Sequence, residues 1–322
     1  MDETPKKLII LTGPTCTGKS ALAIRLAKHL DGEVISADSM QVYRHMDIGT
    51  AKLNKNQMQG IRHHLIDVLD PTREYDVTMF KEGAKAAADD IYARGKLPIL
   101  AGGTGFYIQA FLYDIDFSDK AGTQYRKELV KYAADFGNDR LFDMLKEADP
   151  EAASYLHPND IKRVTRALEY YHETGTKISS HNLKERSKQS SYNYLYFVLN
   201  IPRNELYSRI DKRVDEMISA GLVDEVKRLK DMGASRDMVS MKALGYKEIL
   251  DHLNGDISLD EAVSIIKRDT RHFAKRQLTW FKRERDVIWI NKEEFGYDED
   301  LITGHLINMI DKAFQTDKEG EI

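Results

Sequence analysis

The chain has 322 residues, 42 % of them hydrophobic and 31 % charged, with a net charge of −4 and a single cysteine. This is the make-up of a soluble globular protein of one large or two modest domains: no apolar run is long enough to span a bilayer, the opening MDETPKK lacks the pattern of a secretory signal, and a lone cysteine forms no intrachain disulfide and suits a reducing cytoplasm. The acidic balance weighs against a general nucleic-acid binder, but a stripe of Lys and Arg between Lys267 and Arg285, broken only by Asp269 and Glu284, suggests a localised polyanion site.

The first half alternates short apolar runs with helical patterns, the signature of a parallel sheet with crossover helices. Strands are expected near 8–12, 33–37, 64–68 and 97–101. Directly after the first stands GPTCTGKS, residues 13–20. Four variable residues between Gly13 and Gly18 let Pro14, Thr15, Cys16 and Thr17 curl with their N–H groups inward, Lys19 adds a cation for outer phosphates, and Ser20 offers a hydroxyl to Mg²⁺: a P-loop. Position 16 asks only for a small side chain, so Cys16 is not expected to act as a catalytic thiol. A helix over Gly18 to Leu30 follows, with Leu22, Leu26 and Leu30 inward and Gly32 as its stop.

Ligands of such sheets gather at the carboxyl ends of the strands. The second strand delivers Asp38-Ser39-Met40-Gln41-Val42-Tyr43, which places a candidate base, Asp38, beside the phosphate loop. The fourth delivers Gly102-Gly103-Thr104-Gly105, where glycines would let backbone approach a ligand and Thr104 supplies a hydroxyl. His63 and His64 would point to opposite faces of a strand and so would not share a metal.

From about Ser118 to Tyr192 the pattern is wholly helical, with helices over Gly122 to Asp135, Asp139 to Glu147 and Asp160 to Glu173, and stops at Gly137 and Gly175. The third sets Ile161, Val164 and Leu168 against an outer face of Arg163, Arg166 and Tyr170. Lys184 to Ser191 reads as a surface loop. A fifth strand over 194–201 returns to the sheet, which makes 118–192 an insertion in a core of 1–117 and 193–322. A helix after Pro202 turns Ile210, Val214 and Met217 inward and ends near Gly221; its Arg209 and Arg213, one turn apart, could grip one anion. Ser258 and Glu261 form a capping box for a long helix with a stripe of Ile266, Thr270, Phe273, Gln277, Trp280 and Phe281, opposite Arg268, Arg271, Lys275 and Lys282. A last strand is expected at 287–290, and a frayed end from Thr316.

GPTCTGKS, DSMQVY at 38–43, HHLIDVLDP at 63–71, GGTGFY at 102–107, RALE at 166–169, RIDKRVDEM at 209–217 followed by AGLVDEV, ALGYKE at 243–248 and AKRQLTWF at 274–281 occur in this order. Together they resemble the tRNA dimethylallyltransferase (tRNA isopentenyltransferase) family across nearly the whole chain. The resemblance implies a P-loop NTPase-like α/β fold with a helical insertion domain that grips the tRNA anticodon stem-loop, and a monomer. It implies transfer of a dimethylallyl group from dimethylallyl diphosphate to the exocyclic amine of adenosine-37, with Mg²⁺. Cys16-Thr17 replace a more usual Ala-Ser, Phe106 a usual Leu, and Lys162 a common Gln; the last favours a phosphate contact over a base contact.

Carried onto this sequence, the chemistry centres on the leaving diphosphate, cradled by residues 13–20 with Arg209 or Arg213, and on Asp38 as base toward the weakly nucleophilic adenine amine. Thr104 would hydrogen-bond the bridging oxygen or orient Asp38. The adenine must be turned out of its loop to react. Asp38, Ser39, Met40, Gln41, Tyr43, Thr104 and Gln277 would meet the base and its neighbours, and Arg126, Lys162, Arg163, Arg166, Lys275 and Arg276 the surrounding phosphates. Two rivals are a small-molecule P-loop kinase, which would bind ATP and needs a carboxylate for Mg²⁺ at Asp38 or Asp67, and an RNA-binding module with a relic phosphate loop.

Overall fold

The apolar run Leu8 to Leu11, fully buried, lies in the interior of a six-stranded parallel sheet in the computed structural model, which describes residues 6–117 and 123–319. In chain order the strands are β1 (Lys6–Thr12), β2 (Gly32–Ser36), β3 (His63–His64), β4 (Leu97–Gly102), β5 (Tyr192–Asn200) and β6 (Val287–Asn291); across the sheet they run β3-β2-β4-β1-β5-β6. A strand flanked on both sides and covered on both faces has no reason to alternate polar and apolar residues, and β1 does not. Its Ile9 pairs with Ile99 of β4 and Leu195 of β5. All the strands point their carboxyl ends the same way, so the loops after β1, β2 and β4 are neighbours.

The helices are α1 (Lys19–His29), α2 (Val77–Ala93), α3 (Gly105–Leu112), α4 (Gln124–Phe136), α5 (Asn138–Ala148), α6 (Pro150–Tyr155), α7 (Ile161–Thr174), α8 (Ile178–Ser187), α9 (Arg203–Ser219), α10 (Leu222–Asp231), α11 (Tyr246–Leu253), α12 (Leu259–Phe281) and α13 (Glu299–Glu319). The chain divides into two compact units, one of residues up to Leu112 and from Ser191 onward, the other Tyr113–Ser190. In the first, Leu22, Leu26, Ile302 and Leu306 of α1 and α13 pack on Ile9, Leu11, Phe197 and Leu199 of the sheet. The second has its own core of Leu129, Leu141, Leu145, Val164 and Leu168. Among the described residues no helix is long and apolar enough to cross a membrane.

Several expected boundaries change for physical reasons. The third strand is two residues, not 64–68, because Leu65 (φ 61°) and Asp67 (φ 56°) turn the backbone out of the extended region. Gly32 does not stop the first helix: Asp31 takes the left-handed position (φ 46°), and Gly32 opens β2, where a Cβ would stand 2.7 Å from the Leu97 carbonyl oxygen. Lys184 to Ser187 belong to α8 rather than to a loop, held by polar contacts: buried Glu185 accepts from the Asp116 amide at 3.0 Å and from Lys188 at 2.6 Å. Short α6 was not expected; Asp149 caps it and Pro150 opens it. Helix α13 continues past Thr316 to Glu319. The expected starts at Ser118 and Gly122, and the N-terminal MDETP, lie outside the described residues.

Candidate active site

The P-loop wraps around its own carbonyl. Lys19 Nζ donates to the Pro14 oxygen at 2.7 Å and Thr17 Oγ1 to the same oxygen at 2.8 Å, while Gly13 (φ 141°), Cys16 (φ 65°) and Gly18 (φ 89°) supply the turns that converge backbone amides. Cys16 adopts a left-handed conformation, and its Sγ lies 3.7 Å from Arg213 Nη1. Burial pushes the Lys19 ammonium down to about 8, opposed by Cys16, helped by Arg213 and opposed again by Asp38. An ammonium whose proton burial has loosened is one whose charge an arriving anion would reinforce.

Asp38 leaves β2 into an Asx-type turn in which its Oδ1 accepts from the amides of Met40 at 2.8 Å and Gln41 at 3.2 Å. Those bonds fix the carboxylate and leave Oδ2 for other work. Among the described residues the Thr104 hydroxyl makes no hydrogen bond to Asp38; the Thr104 amide donates to the Ala37 carbonyl at 3.2 Å, and its carbonyl accepts from the Tyr107 and Ile108 amides. Thr15, Cys16, Asp38, Ser39, Met40, Thr104, Arg213 and Gln277 all line one cavity of about 270 Å³. The rest of its wall is largely apolar, with Ile210, Val214 and Met217 from α9, and Ile266 and Phe273 from α12.

Of the paired arginines, only Arg213 reaches the P-loop, with Nη1 3.2 Å from Thr15 Oγ1; Arg209 turns to Glu205 at 2.6 Å and stacks on Tyr297. Gln277 is not a free base-reading amide. It is buried, accepts from the Thr15 amide at 3.0 Å and donates to the Gly103 carbonyl at 2.9 Å, so it ties the P-loop to the turn after β4. The glycines of that turn make room for protein rather than ligand: a Cβ at Gly102, Gly103 or Gly105 would stand 2.2–2.3 Å from Ala37, Gln277 or Trp280. Tyr43 is fully buried, bridged to Leu69, and cannot touch a substrate base; Gln41 spends its side chain on Ser36 and Thr50.

In the second unit, Arg126 and Arg166 converge on Glu169, whose carboxylate is wholly buried and also accepts from the Thr123 amide and hydroxyl. Burial works to raise that carboxyl, but Thr123, Arg166 and Arg126 outweigh it and hold it below the ordinary value. Tyr170, expected on the outer face of this helix, is buried instead. Arg163 and Lys162 are exposed, as are Lys275 and Arg276 of α12 in the first unit. Arg163 contacts Asp160 at 3.3 Å, whereas Arg271 of the basic stripe is tied to Asp211.

Among the described residues no three His, Cys, Asp or Glu side chains converge as a metal site. His63 and His64 turn to the Ile61 carbonyl and to Glu33. Ser20 stands exposed in the first turn of α1, a donor suited to a Mg²⁺ ion that arrives with phosphate oxygens and keeps most of its water. Asp67, the other carboxylate a kinase could use, is paired with Lys52 at 2.6 Å.

A hydroxyl-lined phosphate loop, a fixed carboxylate and an apolar chamber in one cavity narrow the choice of families, and comparison with known proteins settles it. The family model described as IPP transferase matches residues 41–284, and one described as isopentenyl transferase matches 6–72. The chain belongs to the IPP transferase family. A tRNA dimethylallyltransferase of Lachnoclostridium phytofermentans is 56 % identical over 92 % of this chain and 95 % of the relative, and one of Acetivibrio thermocellus 49 % identical over the same shares. The crystal structure of the tRNA isopentenylpyrophosphate transferase of Bacillus halodurans superposes with a TM-score of 0.72 at 40 % identity, covering 98 % of this chain and all of that one. A eukaryotic dimethylallyltransferase acting on tRNA gives 0.76 at 32 % identity, over 89 % of this chain and 74 % of its own. IPP transferases thus share this chain's P-loop NTPase-like fold, and the comparisons favour the transferase over the kinase reading.

What sequence alone missed in this IPP transferase lies behind the cavity wall. Glu225, buried on α10, accepts from the amides of Asp47, Ile48 and Gly49 at 2.8–3.2 Å and from the Tyr246 hydroxyl at 2.6 Å. It bolts down the loop whose Gly49 and Thr50 line the cavity. Lys242 joins that lining as a further cation. The hint in the sequence was the place of Glu225 within AGLVDEV and of Tyr246 within ALGYKE, which Lys242 directly precedes.

Proposed function

We propose that the protein transfers the dimethylallyl group of dimethylallyl diphosphate to N6 of adenosine-37 in tRNA, releasing diphosphate, as a cytoplasmic monomer. The observation that carries this reading is one cavity lined by Thr15 and Cys16 of the P-loop and by the cations Arg213 and Lys242, with other side chains of α9 and α12 forming an apolar wall. A five-carbon allylic diphosphate has that same division: an anionic head and an apolar tail.

The carbon–oxygen bond to diphosphate breaks as the N6–carbon bond forms. The allylic carbon shares its positive charge with the alkene, so the demanding partner is the departing diphosphate, which the P-loop amides, Lys19 and Arg213 would stabilise as its charge grows. Mg²⁺, held by Ser20 and diphosphate oxygens, would supply further neutralisation. The adenine amine is a weak nucleophile until it sheds a proton, and Asp38, fixed by the Met40 and Gln41 amides, would accept it. Thr104, with its hydroxyl unclaimed by Asp38, is suited to the donor's bridging oxygen. Ser39 and Met40 would contact the extruded base, and Arg163, Lys162, Lys275 and Arg276 the phosphates of the anticodon stem-loop.

The test is incubation of the purified protein with unmodified tRNA, Mg²⁺ and dimethylallyl diphosphate, followed by nucleoside mass spectrometry. One adenosine should gain the prenyl mass, and Asp38→Ala should slow this by about 10²- to 10⁴-fold with little change in donor KM. ATP consumption with a small acceptor and no prenyl gain would sink the assignment.

A further inference from the structure

The Lys292 side chain is 1 % exposed, beneath the P-loop, at the end of the sheet's edge strand β6. Its Nζ donates to the Thr17 carbonyl oxygen at 3.1 Å and is paired with Glu299 in the first turn of α13. Glu299 Oε2 is buried and has no hydrogen-bond partner among the described residues. A buried ammonium is costly even when paired, and a neutral donor would satisfy the Thr17 carbonyl as well. The placement therefore asks for a reason beyond stability.

The peptide between Thr17 and Gly18 is trans, so its C=O and N–H point in opposite directions. Anchoring the Thr17 oxygen on Lys292 thus aims the Gly18 N–H away from Lys292. Glycine suits position 18 on two counts: its φ is 89°, and a Cβ there would press on the Lys292 Nζ at 3.0 Å. From these contacts we infer that Lys292 is a positioning residue for diphosphate: it sets the Gly18 amide toward the anion and places a second, water-excluded cation behind the loop. Glu299 holds Lys292 in place and moderates its charge.

This rests on the P-loop as the diphosphate site, so binding of inorganic diphosphate is measured by calorimetry at mildly acidic pH on the full chain. Lys19→Ala tests the site itself, and Lys292→Met and Glu299→Gln test the inference. Both substitutions at the buried pair should lower thermal stability. Their effects on diphosphate should differ in sign: Lys292→Met should weaken binding about tenfold and raise donor KM without moving tRNA KM, while Glu299→Gln, which removes the compensating charge, should tighten binding.

Wild-type protein that fails to bind diphosphate, or a Lys19→Ala variant that binds it as well, overturns the site and the inference together. With that site intact, a Lys292→Met protein that binds like wild type, or a Glu299→Gln protein that binds no more tightly than wild type, leaves the pair a structural strut and overturns the inference alone. Should Lys292→Met not fold, the sign of Glu299→Gln decides.

Discussion

Lys19 combines two properties that pull against each other: it must be charged to hold diphosphate, yet burial lowers its ammonium to about 8. As pH rises through about 8 the free protein loses this proton, so diphosphate affinity should fall there, and binding just above that value should take up protons. Calorimetry in buffers of differing ionisation heat measures the uptake. The two arginines of α9 separate in a second experiment. Arg213→Ala should raise donor KM by an order of magnitude or more, and Arg209→Ala, which loses only Glu205 and Tyr297, should leave it nearly unchanged. A sequence places both on one helix but carries no rotamer, which is why the choice needed the fold. The place of Asp38 beside the P-loop was legible because the carboxyl ends of neighbouring parallel strands meet at one edge of the sheet. Tyr43 was misread because a loop residue five positions on can turn straight into the core, and nothing local says so.

At the scale of elements, the strands were legible wherever burial on both faces left a continuous apolar run, as in β1 and β4. Helix α8 was not, since Glu185 stabilises it through an amide and a lysine instead of an apolar stripe. The turn after β4 shows how an element can be found and its reason mistaken. Its glycines admit Gln277 and Trp280, so Gly105→Ala should force the indole to move and cost about 1–3 kcal/mol, visible as a lowered Tm. Gln277→Ala should leave the Thr15 amide without its partner and cost about 1–3 kcal/mol, with a loss of donor affinity because that amide belongs to the phosphate loop.

For the molecule as a whole, the net charge of −4 and an expected polyanionic substrate are reconciled by local placement of exposed cations. Affinity for tRNA should decline steeply and linearly in log–log terms with salt, and Lys275→Ala or Arg276→Ala should each reduce the slope by about one. Arg126→Ala and Arg166→Ala should behave differently, unfolding the second unit at lower temperature, because each removes a counter-charge from the buried Glu169 carboxylate.

The strand order also bears on how the chain is made. β1 begins at Lys6, but its partner on one side, β5, begins at Tyr192, so Lys6 pairs with a residue that follows the entire second unit. During synthesis the half-sheet β3-β2-β4-β1 can assemble early, yet it ends in a bare edge of Leu8 to Leu11 until β5 emerges from the ribosome. A run that the finished sheet buries completely is thus an adhesive edge until β5 is made, and the length of the unit encoded between them sets how long that edge stays open.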